Sequence, residues 1–379
     1  MKKKMLIIND LLLGGGVEKL CYDFIMRWHT TYDITFLIFA ETNEYQFYDI
    51  FPRDVHFETL HWYRHFRFDK VTKPIYDAVA KFSREMVYNK LNKQNFDVLL
   101  AMKEGKVMEL VGEKLNAGIK LGWIHTDYKA YYYTQYIYGN AENEVKCMKK
   151  FDRLVCVAEQ IERSIKEVIG DPGNLTVCYN PISREEVLEK AAEEITDVDI
   201  TKDTVKFVTV GRLNYQKGYG LLLAACHMLD KDGLDYEVWL VGGREPDGQE
   251  ALHLEMSHKR LKTDHVKFLG KKENPYPYMK HADWFVSSSL FEGYSLVSQE
   301  AAILGLPILA TDCSGVKELL GENDEYGIVT EISVWGIYQG MKRVIENKEL
   351  QAHYKQQIIQ RSNIIGADHR FQEIEKLFN

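Results

Sequence analysis

Two stretches of the chain hold residue types spaced for chemistry. The first is Phe291-Glu292-Gly293-Tyr294-Ser295-Leu296-Val297-Ser298-Gln299-Glu300. It follows an apolar run that ends in Ser287-Ser288-Ser289 and leads into Ala301-Ala302-Ile303-Leu304-Gly305, which reads as helix. Glu292 then falls in the loop, and Glu300 lies between one and two turns along the helix at about 3.6 residues per turn. Gly293 permits close backbone approach, and the N–H groups of Tyr294 to Val297 open the helix without partners inside it, which suits an anion. The loop offers amides for a phosphate and two carboxylates for hydroxyls. The plainer reading is a helix capped by Ser295 with Glu300 on a wet face. The small apolar residues directly after Glu300 weigh against it, because an unpaired charge among them is costly.

The second stretch is Val208-Thr209-Val210-Gly211-Arg212-Leu213-Asn214-Tyr215-Gln216-Lys217-Gly218. A strand ends at Gly211, and two cations five residues apart follow before a helix. Arg212 has the fork geometry for bidentate phosphate contact, and Lys217 supplies a point charge. Loop Arg and Lys are otherwise ordinary surface residues; the neighbouring Glu292 loop is what raises this pair to a candidate site.

Weaker candidates lie in the first half. Gly14-Gly15-Gly16 joins a first strand to a helix, where bare backbone admits a phosphate or sugar. It does not match GxGxxG, so a nicotinamide site is disfavoured. His125 ends a strand in Gly122-Trp123-Ile124-His125-Thr126-Asp127, with Asp127 as the alternative; Asn180-Pro181 reads as the end of the last strand of the half, either a turn or a contact. The segment Tyr128–Tyr138 holds six tyrosines, equally suited to stacking on sugars and to lying on a partly buried helix face. His61-Trp62-Tyr63-Arg64-His65-Phe66-Arg67-Phe68-Asp69-Lys70 mixes cations with aromatics, as a loop on an anionic membrane or around a lipid-linked diphosphate would; a mobile surface loop is the simpler account.

Positioning these residues requires a framework, and the hydropathy supplies one. Apolar runs at Lys4–Asn9, Ile34–Ile38, Val98–Met102, Lys120–Ile124 and Leu154–Val157 read as strands, with helical periodicity at Glu18–His29 and Tyr76–Lys93. The pattern restarts with strands at Lys206–Val210, Glu237–Val241, Lys267–Leu269, Trp284–Ser287 and Ile308–Thr311, and helices near Gly220–Leu229, Ser295–Leu304, Val316–Gly321 and Val334–Asn347. Such alternation predicts an α/β fold of two doubly wound, Rossmann-like domains. The expected organisation is an N-terminal domain over 1–182, an acidic linker over 183–203, a C-terminal domain over 204–355 and a terminal helix over 356–379. Ligands of such sheets gather at the carboxyl ends of the strands, so the cleft between the domains is the expected site.

Composition excludes several classes. Hydrophobic residues make up 45% and charged residues 27% of the 379, which rules out a disordered, collagenous or coiled-coil chain. The net charge of −8 excludes nucleic acid as a general partner. Residues 1–182 carry a net +1 and the remainder −9, so the first half is the one able to approach an anionic surface. Six cysteines without a CxxC pair suggest reduced thiols in a cytosolic protein, and no metal-ligand cluster is visible. The opening Lys2-Lys3-Lys4-Met5-Leu6-Ile7-Ile8-Asn9-Asp10 is too short an apolar run for a signal peptide, and no run reaches the length of a membrane span.

The loop Gly211-Arg212…Lys217-Gly218 and the pair Glu292-x7-Glu300 resemble the retaining glycosyltransferases of family 4, which have the GT-B fold. Val266-Lys267-Phe268-Leu269-Gly270, Ala282-Asp283, Gln299-Glu300-Ala301-Ala302, Gly305-Leu306-Pro307-Ile308 and Gly315-Val316-Lys317-Glu318-Leu319 extend the resemblance over most of the second half. In the first half it rests on Gly14-Gly15-Gly16-Val17-Glu18, His125 and Asn180-Pro181. The resemblance implies that Arg212 and Lys217 hold the donor diphosphate in place of a metal, with Gly211 beside them, and that Glu300 holds the ribose. It implies that Glu292, with the backbone of Gly293, Tyr294, Ser295 and Leu296, holds the donor sugar. His125 would touch that sugar, while Gly15 and Gly16 would face the donor phosphates and the acceptor. It further implies a terminal helix that crosses back to the first domain, no cofactor, and a UDP-sugar as donor. The acceptor would be a cell-envelope or capsular glycan on a lipid carrier, met in the cytoplasm with peripheral contact at the inner face of the membrane. The sequence departs from the family at Gly242-Gly243-Arg244-Glu245-Pro246-Asp247-Gly248, which leaves UDP and GDP both open there. A nucleotide-sugar epimerase of the same architecture and a nucleotide-sugar-binding partner protein are the rival readings.

Overall fold

In a parallel sheet covered on both faces, strands are apolar on both sides, and this is how the central strands of the chain read. A computed structural model describes residues 2–12, 15–39, 51–60, 72–244, 248–365 and 367–378. Gly14, His61–Lys70 and Glu245-Pro246-Asp247 lie outside the described residues. Two compact units form, Met1–Tyr179 with Glu373–Asn379, and Asn180–Gln372.

The first unit holds β1 (Lys3–Asn9), β2 (Tyr32–Ile38), β3 (His56–Thr59), β4 (Phe96–Ala101), β5 (Ala117–Ile124), β6 (Arg153–Cys156) and β7 (Leu175–Val177). They form one parallel sheet in the order β3-β2-β1-β4-β5-β6-β7. Register aligns Met5 with Ile34 on one side and Val98 on the other, and Met5 to Ile8 are fully buried. The second unit holds β8 (Val205–Val210), β9 (Tyr236–Val241), β10 (Val266–Gly270), β11 (Trp284–Ser287), β12 (Ile308–Thr311) and β13 (Ile328–Thr330). Their order is β10-β9-β8-β11-β12-β13, also parallel. Each sheet therefore reverses its winding once, between β1 and β4 and between β8 and β11. The loops leaving those neighbouring strands diverge and open a crevice at the carboxyl ends.

Every strand expected from the sequence forms, with ends moved by no more than three residues. Two strands were not expected: β3 and β13. Both are edge strands, partly exposed, so they lack the apolar run that marks a central strand. The strand before Asn180-Pro181 ends at Val177, earlier than its sequence suggests. Asn180 belongs to the second unit, where its carbonyl accepts a 2.7 Å hydrogen bond from Arg370. The acidic stretch 183–203 also lies in the second unit. It contains the helix Arg184–Lys190, capped by Ser183 Oγ on the Glu186 N–H at 3.2 Å.

Aromatic packing fixes both cores. In the second unit Trp284 meets Tyr354 edge-on at 5.8 Å. In the first, the helix Gly16–Trp28 turns Leu20, Cys21, Phe24, Ile25 and Trp28 inward, a helical stripe, and Phe24 sits 5.4 Å from Trp123. The last residues return to this core. The Trp28 indole N–H donates to Glu375 Oε1 at 2.8 Å, and Phe378, buried, packs edge-on against Trp28 at 4.9 Å. All six cysteines are unpaired and buried.

Phe378→Ala removes this buried ring and leaves Trp28 a void to face. It should lower the stability of the first unit by about 3 kcal/mol, read as a shift of the denaturant midpoint followed by tryptophan fluorescence. An unmoved midpoint would mean that the terminal segment does not support the core.

Candidate functional site

The two loops singled out in the second unit leave adjacent strands at the winding reversal, β8 and β11, and are bound to each other. Leu290 N–H donates to Gln216 O at 2.8 Å, Ser288 Oγ donates to Lys217 O at 2.8 Å, and Gln216 Nε2 donates to Phe291 O at 3.0 Å. Asn214 caps the short 3-10 turn Tyr215–Lys217 through its side chain on Lys217 N–H at 3.2 Å. Gly218 has φ +60°, and a Cβ there would stand 2.1 Å from Ser288 O, so only glycine allows this closeness. A Cβ on Gly211 would meet Lys217 Cε at 2.8 Å and Tyr219 Oη at 3.0 Å; the missing side chain leaves room for the lysine shaft.

This zipper brings Lys217 Nζ to 2.6 Å from Glu292 Oε1, with both side chains mostly buried. Ser289 Oγ donates to the same oxygen at 2.8 Å. Burial pulls the Lys217 ammonium down, but the Glu292 carboxylate, with Tyr219 and Cys313 behind it, holds it above the ordinary lysine range. Lys217 is therefore a cation at any physiological pH. Burial pushes the nearby Tyr219 phenol and Cys313 thiol each up to about 12, so both stay neutral beside the pair. Arg212 is partly buried in the same loop.

Ser295 caps the helix Leu296–Ile303, accepting from Ser298 N–H at 3.3 Å. Leu296 and Val297 hold the first helical positions, whose N–H groups have no acceptor within the helix. Tyr294 is buried, its phenol pushed up by that burial. Glu300, four per cent exposed, accepts from Tyr276 Oη at 2.9 Å. The solvated-face reading of Glu300 is thus overturned: the carboxylate is buried and hydrogen-bonded. Tyr276 escaped sequence reasoning, because it lies 24 residues away and nothing local marks it. Next to Glu300, Gln299 is fully buried, and its Oε1 accepts from Arg370 at 2.8 Å. Lys272, in the loop that follows β10, is bound to Asp197 at 2.5 Å, and Tyr278 Oη donates to the same carboxylate at 2.8 Å.

In the first unit the candidates gather at the carboxyl ends of β1, β4 and β5. His125 is partly buried, and its Nε2–H donates to Met102 O at 3.0 Å. Burial lowers its pKa against the opposing charge of Glu104, which favours the neutral ring. Asp127 is buried and caps its own turn, accepting from Lys129 N–H at 2.8 Å. Gly15 is extended, at φ −116°, and its N–H is spent on Glu18 Oε2 at 3.0 Å. Gly16 opens the helix that follows. The tyrosine segment is mostly turn, with only Gln135–Tyr138 helical. Tyr128 is buried with its hydroxyl on Glu144 at 2.6 Å, whereas Tyr131 and Tyr136 are 49% and 91% exposed. The segment therefore divides into anchoring rings and presented rings. The described helices include none long and apolar enough to cross a membrane.

Residues 190–361 match the family of glycosyl transferases group 1. Over 199 residues the chain is 32% identical to the N-acetylgalactosamine-N,N'-diacetylbacillosaminyl-diphospho-undecaprenol 4-alpha-N-acetylgalactosaminyltransferase of Campylobacter jejuni, covering 52% of this chain and 51% of that one. It is 28% identical to the UDP-Gal:alpha-D-GlcNAc-diphosphoundecaprenol alpha-1,3-galactosyltransferase of Escherichia coli over 55% of this chain and 54% of that one. The chain thus spans about half the length of these curated relatives. Among solved structures, Anabaena HepE in complex with UDP and glucose superposes with a TM-score of 0.75 at 17% identity, over 99% of this chain and 98% of that one. The sucrose-phosphate synthase of Thermosynechococcus elongatus superposes at 0.77 and 15% identity, over 100% and 98%. The fold is GT-B.

Gly218→Ala tests whether the zipper sets the site. The left-handed backbone costs about 1–2 kcal/mol for a residue with a Cβ, and the collision with Ser288 O adds to it, so the loops must part. Denaturant unfolding should show a loss above 2 kcal/mol. A variant as stable as the parent would mean that the loops are not held by this contact.

Proposed function

Because residues 190–361 match the glycosyl transferases group 1 family, we propose that the chain is a retaining hexosyltransferase of that family. Its donor is a nucleotide diphosphate sugar, a UDP-sugar, and its acceptor a cell-envelope or capsular glycan carried on a lipid diphosphate. The observation that carries this reading is the buried Lys217–Glu292 pair at the carboxyl ends of β8 and β11, within the stretch that matches the family.

The reaction breaks the bond from the sugar's anomeric carbon to the diphosphate, and the electron pair leaves with the phosphate. Lys217, already charged and aimed, exchanges Glu292 for the diphosphate, and Arg212 grips the same oxygens. Fixed cations that meet charge as it develops lower the barrier without reorganisation. Released from Lys217, Glu292 accepts from hydroxyls of the sugar, helped by the backbone of Gly293 to Leu296. Glu300, steadied by Tyr276, takes the ribose hydroxyls. The first unit's own candidates are His125, whose ring would accept from a sugar hydroxyl, and Gly16, whose bare backbone lies beside the spent amide of Gly15. The acceptor hydroxyl adds to the face that the diphosphate leaves, through an oxocarbenium-like state, and gives up its proton to the departing phosphate oxygen; no side chain is assigned as nucleophile.

The UDP in HepE and in the name of the galactosyltransferase supports the donor. The diphospho-undecaprenol acceptors named for two relatives support the lipid-linked glycan, and with it work in the cytoplasm at the inner membrane face. The exposed Tyr131 and Tyr136 suit stacking on a glycan.

Nucleotide release from a panel of UDP-, GDP- and ADP-sugars, with EDTA present and no acceptor, tests the reading. Slow hydrolysis of one UDP-sugar is expected, with nucleotide affinity lost in Glu300→Ala. Turnover should fall by about a hundredfold or more when Arg212→Ala and Lys217→Ala are combined. A sugar converted with no nucleotide released would point instead to an epimerase. Tight binding with no release, even when lipid-linked acceptors are added, would point to a binding protein.

A further inference from the structure

A carboxylate that no motif marks lies beneath His125. Glu104, just past the end of β4, is three per cent exposed. Both of its oxygens are engaged at the end of β5: Oε2 accepts the His125 backbone N–H at 3.0 Å, and Oε1 accepts the Thr126 hydroxyl. The same short loop supplies the His125 ring contact, since Nε2–H donates to Met102 O. It also anchors the tyrosine turn, because Tyr138 Oη donates to Gly105 O at 3.0 Å. One strand end thus fixes the backbone, ring and following turn of the next.

We infer that Glu104 is a positioning residue: by clamping His125 and Thr126 it keeps the His125 ring on Met102 O, so that Nδ1 carries the lone pair offered to the ligand. A carbonyl only accepts, so the ring nitrogen facing Met102 must bear the proton, and in the neutral imidazole the other nitrogen is then an acceptor. The group His125 recognises is therefore a donor, a sugar hydroxyl, rather than a phosphate oxygen. The inference rests on the proposed transfer for the identity of the ligand, but the clamp itself does not. Lys103, the other charge near the ring, is bound to Asp10 at 2.8 Å, so Glu104 is the charged group that acts on His125 directly.

Glu104→Met keeps the length of the side chain and removes both accepting oxygens, so both clamp hydrogen bonds are lost. The experiment is long-range nitrogen–proton NMR of the His125 ring in the full chain, paired with donor hydrolysis and UDP binding. The parent should show a single tautomer protonated at Nε2. The variant should show a mixture of tautomers and a roughly tenfold drop in turnover, one power of ten for about 1.4 kcal/mol. UDP affinity should stay within about twofold, because the clamp bonds of Glu104 go to His125 and Thr126, neither of which is assigned to the nucleotide. Thr126→Val, which frees only Oε1, should move both readouts the same way by less, and it decides the question if Glu104→Met does not fold. A single Nε2-protonated tautomer with parental turnover in the variants would overturn the inference. A parent that releases no nucleotide even with a lipid-linked acceptor present would sink the transferase reading, and the tautomer measurement would still judge the clamp.

Discussion

The second unit depends on holding two opposite charges, Lys217 and Glu292, together where water barely reaches. Removing either partner from such a pair leaves an uncompensated charge and costs about 3–5 kcal/mol, so the surrounding loop must deliver both. It does so through backbone rather than through further charges. Leu290 binds Gln216, Ser288 binds Lys217 O, and a glycine stands where any Cβ would strike Ser288 O. Buried pairs are seldom the most stable solution, since apolar replacements often do as well. Keeping one here makes sense if its members are meant to be parted by a ligand that satisfies both, with an anion for the ammonium and hydroxyls for the carboxylate.

The first unit meets the same geometric opportunity with different chemistry. Its winding also reverses between neighbouring strands, and the loops after β1, β4 and β5 carry Asp10, Lys103, Glu104 and His125. Here the cation is already neutralised by Asp10, and the buried carboxylate faces a backbone amide and a hydroxyl instead of a lysine. The exposed Tyr131 and Tyr136 of the same unit would, on the proposed reading, suit a neutral, hydroxyl-rich ligand. The second unit presents cations and helix-end amides, suited to phosphate. Two sheets of one topology are thereby specialised by the partners given to their charges.

Much of this was legible in the sequence, and the part that was not has a common cause. Central strands announce themselves because burial on both faces demands unbroken apolar runs; β3 and β13 do not, because an edge strand needs no such run. Lys217, Glu292 and Glu300 were legible because each lies next to a glycine turn or a helix start, whose local rules are strict. Tyr276, Glu104 and the Lys272–Asp197 pair were not, since each gains its meaning from a residue 21 to 75 positions away. The Gly15 amide was misjudged for the opposite reason. The glycine was read for its bare backbone, while Glu18 three residues on, a helix-start partner for that N–H, went unweighed.

The charge distribution carries the same lesson at larger scale. The second half of the chain is the more acidic, yet it holds the anion-binding candidate. Net charge acts over distances that salt screens within about 8 Å, whereas the field at a buried site is set by its immediate neighbours. Much of the acidity is also occupied elsewhere: Glu186 with Lys190, Asp197 with Lys272, Asp312 with Lys317 and Asp232 with Lys342 are ion pairs of the unit's own surface and edges. What remains at the ends of β8 and β11 is one carboxylate that a lysine already neutralises and a helix start. On the proposed reading, an anion arriving there would be met by the lysine and by the helix-start amides inside a negatively charged protein, and a hydroxyl-bearing group arriving with it would take up the carboxylate that the lysine leaves.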